Sequence, residues 1–175
     1  MRKDGNEVPQ VEFIFREDGR FVSYSTYELF KNKKVVIFSL PGAFTPTCSA
    51  YQLPRFEEKY EDFKNLGIDD VYCISVNDGF VMNSWAKDQN IQNVKLIPDG
   101  NAYFTRSMGM LVHKSNLGFG ERSWRYAALI NNGIIEKMFV ELGKGDNADL
   151  DPYEATTPEN VLNYIRANVL ELELV

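Results

Sequence analysis

The 175-residue chain is poor in the residues that build most disulfide frameworks and metal centres, with two cysteines, Cys48 and Cys73, and a single histidine, His113. Two cysteines are too few for a disulfide scaffold, and they lack the close ligand spacing of a zinc site. One histidine excludes multi-histidine metal centres and leaves a Ser/His/Asp or Cys/His arrangement with at most one base. No metal is expected, and any cysteine chemistry must find its activation away from histidine. Cysteine this scarce points to a reducing compartment, read here as cytoplasmic. Long apolar runs are missing too: stretches such as Val35 to Phe38 fall far short of the roughly 20 residues that cross a bilayer. The opening MRKDGNEVPQV has no apolar core after its charges, so a soluble, unsecreted protein without a membrane partner is expected. Positive charge is also in deficit, with 19 Lys+Arg against 25 Asp+Glu and a net charge of -6. No basic cluster reverses that field locally, which argues against nucleic acid as a partner.

What is present suits a packed globular chain: 44% of residues are hydrophobic and 13% aromatic. No repeat, low-complexity tract or linker divides it, so one domain over residues 1–175 is expected. Strand and helix signals alternate. Val11 to Phe15 reads as a short strand closed by Glu17-Asp18-Gly19, and Lys33 to Leu40 as a buried strand ended by Pro41-Gly42. From Ser49 to Leu66, Leu53, Phe56, Tyr60 and Phe63 recur at helical spacing; Pro54 inside that span predicts a kink or a late start, and Gly67 a stop. Val71 to Val76 is a second buried strand, and Asn77-Asp78-Gly79 caps a helix from Phe80 to about Gln89. A short strand at Val94 to Ile97 and the Pro98-Asp99-Gly100 turn precede a helical stretch bearing Phe104, Met108 and Leu111. Arg125 to Ile130 and Ile134 to Val140 flank Asn131-Asn132-Gly133, a hairpin signal because Asn and Gly tolerate positive φ. The last helix starts near Thr157-Pro158-Glu159 and buries Val161, Leu162, Ile165 and Val169. The pattern predicts a three-layer α/β domain with a mixed sheet.

The segment with most chemical content is Ser39 to Ser49, SLPGAFTPTCS, a strand, a Pro-Gly break and Thr45-Pro46-Thr47-Cys48 opening a helix. Unpaired N–H groups and the dipole at a helix N-terminus stabilise negative charge, which favours a reactive thiolate. Position alone leaves two readings open, since a lone intracellular cysteine is as often a small buried hydrophobe. Taken singly, Thr45 and Thr47 could be N-caps, Pro41 a strand terminator and Arg125 half of a surface ion pair.

The motif resembles the peroxiredoxin signature Pro-x-x-x-Thr-x-x-Cys, matched by Pro41, Thr45 and Cys48 in PGAFTPTC. Further stretches, VYCISVNDGFVMNSW, LIPDGNAYFTRSMGML and GFGERSWRYAALINNG, are similar to type-five peroxiredoxins, most of all to the bacterial module that occurs fused to a glutaredoxin. This resemblance implies a thioredoxin-like α/β/α fold and a thiol peroxidase acting on hydrogen peroxide and alkyl hydroperoxides. It makes Cys48 the attacking thiolate, oxidised to a sulfenic acid. It lets Thr45 and the backbone N–H groups of Thr47 and Cys48 hold the peroxide, gives Arg125 the role of charge-stabilising donor, and has Pro41 wall off water. Arg122 is the neighbouring alternative, set second because it precedes the strand. No cofactor is implied, because the oxidant is the substrate and thiols supply the electrons.

Oxidised Cys48 needs a second thiol. The flanks of Cys73 in VYCISV point to a central strand and an inert core thiol, and no later residue is a cysteine. Resolution is therefore expected from outside, by glutathione with a separate glutaredoxin or, second, by thioredoxin. Phe44, Phe80, Trp85 and Phe119 read equally as ordinary core; the resemblance implies that residues around the site loop meet a partner subunit, so a symmetric homodimer is expected. His113 reads as a surface residue, Gly118-Phe119-Gly120 lacks the lysine of a phosphate loop, and DNADLD at Asp146 to Asp151 lacks the spacing of a calcium loop. Two other function classes stay open: a peroxide sensor or redox relay, and a disulfide reductase, the latter disfavoured because Thr45 stands where C-x-x-C chemistry wants its first cysteine.

Overall fold

In a computed structural model, which describes residues 1–174, the two continuous apolar runs form adjacent central strands, Lys34–Ser39 (β3) and Asp70–Ser75 (β4). They are apolar on both faces because both faces of their sheet are covered. Val36 and Phe38 pack into one hydrophobic cluster with Phe56, Phe63, Trp85 and Ile165, while Val35 and Ile37 face a second with Phe13, Phe30, Phe104 and Trp124. That alternation places the sheet between two layers, as the pattern predicts.

The chain enters through a hairpin, Glu12–Glu17 (β1) and Arg20–Ser25 (β2), and a short helix, Thr26–Phe30 (α1). The sequence reading has only the first strand here. Asp18 and Gly19, taken as its end, both adopt positive φ (48° and 74°) and turn the chain straight back into β2, the left-handed pair that a two-residue hairpin requires. Helix α1 carries a capping box from Ser25 and Glu28, the [ST]-x-x-E signature of a helix start.

The expected helix from Ser49 to Leu66 is three pieces: a π turn at Cys48–Gln52, then Leu53–Glu58 (α2) and Tyr60–Asn65 (α3). Pro54 accounts for the first irregularity. It has no N–H for the carbonyl of Ala50, and its ring crowds that carbonyl. The widened turn absorbs the conflict, with the Leu53 N–H donating to the Cys48 carbonyl, five residues back.

The remaining elements are Gly79–Asp88 (α4), Lys95–Pro98 (β5), Tyr103–Met108 (α5), Leu111–His113 (β6), Glu121–Ser123 (β7), Tyr126–Asn131 (β8), Ile134–Val140 (β9) and Pro158–Glu173 (α6). The main sheet has the order β5-β4-β3-β8-β9, parallel from β5 to β3 and antiparallel through β8 and β9. The Asn132-Gly133 turn links the last two strands as expected, with Asn131 opposite Ile134. Two expectations need correction. Leu111 starts β6 rather than continuing a helix, because Gly109 in the left-handed region (φ 75°) ends α5. Val169 is half-buried, since the last turns of α6 run past the edge of the core.

Candidate active site

Beyond Ser39 the chain leaves the sheet at Pro41-Gly42 and crosses the end of β3 into the helical run that begins at Pro46. Asn77, just past β4, holds this loop: its Oδ1 accepts from the Ala43 N–H at 3.0 Å and from the Ser75 hydroxyl at 2.6 Å. The loop is pinned from the other side by Arg122, whose Nη1 donates to the Pro41 carbonyl at 3.0 Å and whose Nε donates to the Phe119 carbonyl at 3.2 Å. A Cβ at position 42 would sit 2.1 Å from Arg122 Nη1, so glycine there leaves room for the guanidinium. Burial draws the Arg122 pKa below its ordinary value against the opposing pull of charge at Cys48.

Thr45 sits where the helix begins, its carbonyl accepting from the Ser49 N–H at 3.0 Å. Its hydroxyl does not cap the helix but donates backward to the Gly42 carbonyl at 2.7 Å. The first-turn N–H groups of Thr47 and Cys48 have no intrahelical acceptor. Cys48 itself is 1% exposed. Next to it, Ser49 accepts from the Trp85 indole N–H at 3.0 Å, which ties the turn to α4.

Arg125 comes from the neighbouring strand, immediately before β8, whose Tyr126 pairs with Ser39 at the end of β3, and is also buried. Its Nη1 reaches Cys48 Sγ at 3.6 Å and donates to Gln52 Oε1 as well. Nη2 is gripped by both carboxylate oxygens of Asp151 at 2.7 Å, and Nε donates to the Pro152 carbonyl at 3.2 Å. The Tyr153 ring lies 5.6 Å from the guanidinium carbon. Burial alone would pull the Arg125 pKa down; the charge at Cys48, followed by the Asp151 carboxylate, outweighs it and holds the pKa above its ordinary value.

The structure therefore brings Pro41, Thr45, Thr47, Cys48 and Arg125 into one place, with Arg122 supporting the loop rather than meeting the sulfur. Cys73 lies in β4, fully buried in the same cluster as Cys48, and both thiols are free. Burial, and then the charge at Cys48, pushes the Cys73 thiol well up. His113 is exposed on β6.

Sequence reasoning misses Gln52, Asp151 and Tyr153. Gln52 is four residues after Cys48 in the π turn, a geometry that only Pro54 hints at. Asp151 ends the DNADLD stretch, whose composition resembles a calcium loop without its spacing. Just beyond it the chain is anchored by buried Glu141, whose carboxylate accepts from the N–H groups of Glu154, Ala155 and Thr156 and from the Thr156 hydroxyl, at 2.7 to 3.1 Å. The Glu141 anchor carries no local signal, because its partners lie 13 to 15 residues away.

A cleft of about 200 Å³ opens over the turn, walled by Pro41, Thr45 and Thr47 on one side and by Leu117, Leu150 and Asp151 on the other. Among the described residues, no cluster of three or more potential metal ligands occurs.

The family described as Redoxin matches residues 3–155. A peroxiredoxin of Rhizobium etli is 60% identical over 148 residues, covering 85% of this chain and 83% of that protein. The hybrid peroxiredoxin hyPrx5 of Haemophilus influenzae is 51% identical over 93% of this chain and 66% of its own length. Among solved structures, the Plasmodium falciparum antioxidant protein, a 1-Cys peroxiredoxin, superposes with a TM-score of 0.91 at 44% identity, covering 95% of this chain and all of that one.

Proposed function

Since the chain belongs to the peroxiredoxins of the Redoxin family and shares their thioredoxin-like fold and peroxidase class, we propose that Cys48 is its peroxidatic thiol and is recycled by glutathione and glutaredoxin. The observation that carries this reading is the 3.6 Å approach of Arg125 Nη1 to Cys48 Sγ at the start of a helix. A fixed positive charge and the first-turn N–H groups together stabilise negative charge on the sulfur.

The thiolate attacks one peroxide oxygen in line with the O–O bond. The S–O bond forms as the O–O bond breaks, the departing oxygen leaves with the bonding pair and takes a proton, and Cys48 becomes a sulfenic acid. Catalysis here rests on position and electrostatics. The N–H groups of Thr47 and Cys48 and the Arg125 guanidinium meet the oxygens as charge shifts onto them. Thr45, its proton committed to the Gly42 carbonyl, offers lone pairs to the peroxide O–H. Pro41, buried against the loop, keeps water from the sulfur.

An outside thiol then condenses with the sulfenic acid, releasing water and leaving a mixed disulfide that a second thiol or glutaredoxin opens. Burial of Cys73 supports an outside donor, and the similarity to a hybrid peroxiredoxin supports a glutaredoxin-coupled one. A reducing, cytoplasmic setting fits that donor, and exposed Phe44 and Tyr51 beside the loop suit a homodimer contact.

The test is peroxide consumption coupled to NADPH through glutathione reductase, glutathione and glutaredoxin. Turnover is expected with hydrogen peroxide and an alkyl hydroperoxide, lost on Cys48→Ser, and slower with thioredoxin and its reductase. A single stoichiometric oxidation that neither system reverses would overturn it in favour of a redox relay.

A further inference from the structure

Lys114 is a cation the reaction described above does not use. It is 3% exposed, follows β6 and lines the cleft beside Thr45 and Thr47. Among the described residues its ammonium has one interaction, the face of the Trp124 ring at 5.7 Å. A lysine side chain this buried ordinarily ends on a carboxylate or carbonyl, because desolvation of its charge has to be offset. Here it lines, instead, the cleft whose wall includes Thr45, Pro46 and Thr47, the three residues that lead into Cys48, under a rim that includes the exposed apolar side chains Leu117 and Leu150.

We propose that Lys114 seats the carboxylate of the small thiol that reduces oxidised Cys48, so that the cleft selects carboxylate-bearing thiols. This rests on the reading that an outside thiol recycles Cys48. The physical need is specific to that half of the cycle. Hydrogen peroxide and simple alkyl hydroperoxides are neutral and require no cation, whereas an anionic thiol approaches a protein of net charge -6. Asp149 and Asp151 also line the cleft, Asp151 already paired with Arg125, and a local ammonium offsets this repulsion beside the turn that carries Cys48. In the step itself, the thiol sulfur bonds to Cys48 Sγ as the S–O bond of the sulfenic acid breaks. The hydroxyl leaves with the thiol's proton as water; the Cys48 sulfur is reduced and the incoming sulfur oxidised to the shared disulfide level. Lys114 touches none of the reacting atoms and acts by positioning.

The test oxidises the protein with one equivalent of hydrogen peroxide and follows loss of the sulfenic acid on adding mercaptoacetate, glutathione or neutral mercaptoethanol. Comparing each thiol with itself across wild type, Lys114→Met and Lys114→Arg cancels differences in intrinsic thiol reactivity. The Met variant is expected to lower the mercaptoacetate-to-mercaptoethanol rate ratio about tenfold, the scale of one charge-assisted hydrogen bond, and the Arg variant to restore most of it. An unchanged ratio overturns the proposal, as does failure of every carboxylate thiol to reduce the wild type. A shift appearing instead in oxidation by linoleic acid hydroperoxide relative to cumene hydroperoxide assigns the lysine to the oxidant and also overturns it. Should glutathione fail while mercaptoacetate remains lysine-dependent, the carboxylate seat stands and glutathione falls as the donor.

Discussion

Asp151 grips Nη2 of Arg125 with both carboxylate oxygens at 2.7 Å, and this leaves Nη1 facing Cys48 and Gln52. The carboxylate side chain is 43% exposed while the guanidinium is 1% exposed, so Asp151 aims a buried donor from the surface. Asp151→Asn keeps one acceptor but loses the paired, charged grip, and the second-order rate with hydrogen peroxide should fall about tenfold. Arg125→Lys keeps a charge yet loses the planar fork, and a fall of about a hundredfold or more is expected, as for removal of a transition-state donor. Stopped-flow oxidation with circular dichroism as the folding control checks both. Equal rates for wild type and Arg125→Lys would show that charge alone suffices.

Cys73 should play no part in turnover. Its thiol is buried and pushed well up in pKa, so it stays protonated through the neutral range and is a poor nucleophile toward a sulfenic acid. Mass spectrometry after one equivalent of peroxide, without added thiol, should show one added oxygen on Cys48 rather than loss of two hydrogens. Cys73→Ala should retain turnover with glutathione and glutaredoxin and lose about 1 kcal/mol of stability from the small cavity it leaves. A Cys48–Cys73 disulfide would reverse this assignment.

Much of this is legible in the sequence because the informative residues are contiguous. The run SLPGAFTPTCS holds the loop, the helix start and the sulfur together, and central strands announce themselves by unbroken apolar runs. The element types around them follow from Gly, Pro and Asn at the turns. What stayed hidden depends on residues far apart in the chain. The grip of Asp151 on Arg125 spans 26 residues, and Gln52 meets Arg125 across 73. Short elements such as α1 and the β6–β7 hairpin also escaped, because three to five residues carry too little periodicity to stand out.

Acid should remove a contribution to stability centred on Asp70. Desolvation alone would raise its pKa, but the ammonium groups of Lys33 at 2.9 Å and Lys95 at 3.0 Å outweigh that and hold it below the usual carboxylate value. A group with a depressed folded pKa contributes stability above its unfolded value, near 3.9, and loses it as pH falls through the folded value. Asp70→Asn should therefore cost about 1–2 kcal/mol at pH 7, discounted because both lysines are partly exposed. The gap to wild type should close as pH drops below about 4. Urea unfolding across that range checks it, and a gap independent of pH would exclude the ion pairs as its source.

Gly42→Ala should damage activity more than stability. The added methyl would lie 2.1 Å from Arg122 Nη1, the far end of a flexible side chain, so the guanidinium can swing aside while the fold survives. In moving it gives up the Pro41 carbonyl, to which it donates at 3.0 Å. That bond fixes the height of the loop over Cys48, and the same loop carries Gly42, whose carbonyl accepts from the Thr45 hydroxyl at 2.7 Å. A loop displaced by a fraction of an ångström misaligns the acceptor and the first-turn N–H groups together, which is enough to cost about tenfold in rate for an in-line displacement. Unfolding should change by no more than about 1 kcal/mol, the scale of one lost hydrogen bond. Arg122→Ala, which removes the same bond without the clash, should reproduce the rate loss. If Gly42→Ala is slow while Arg122→Ala reacts like wild type, the glycine is needed for space alone and the arginine does not set the loop.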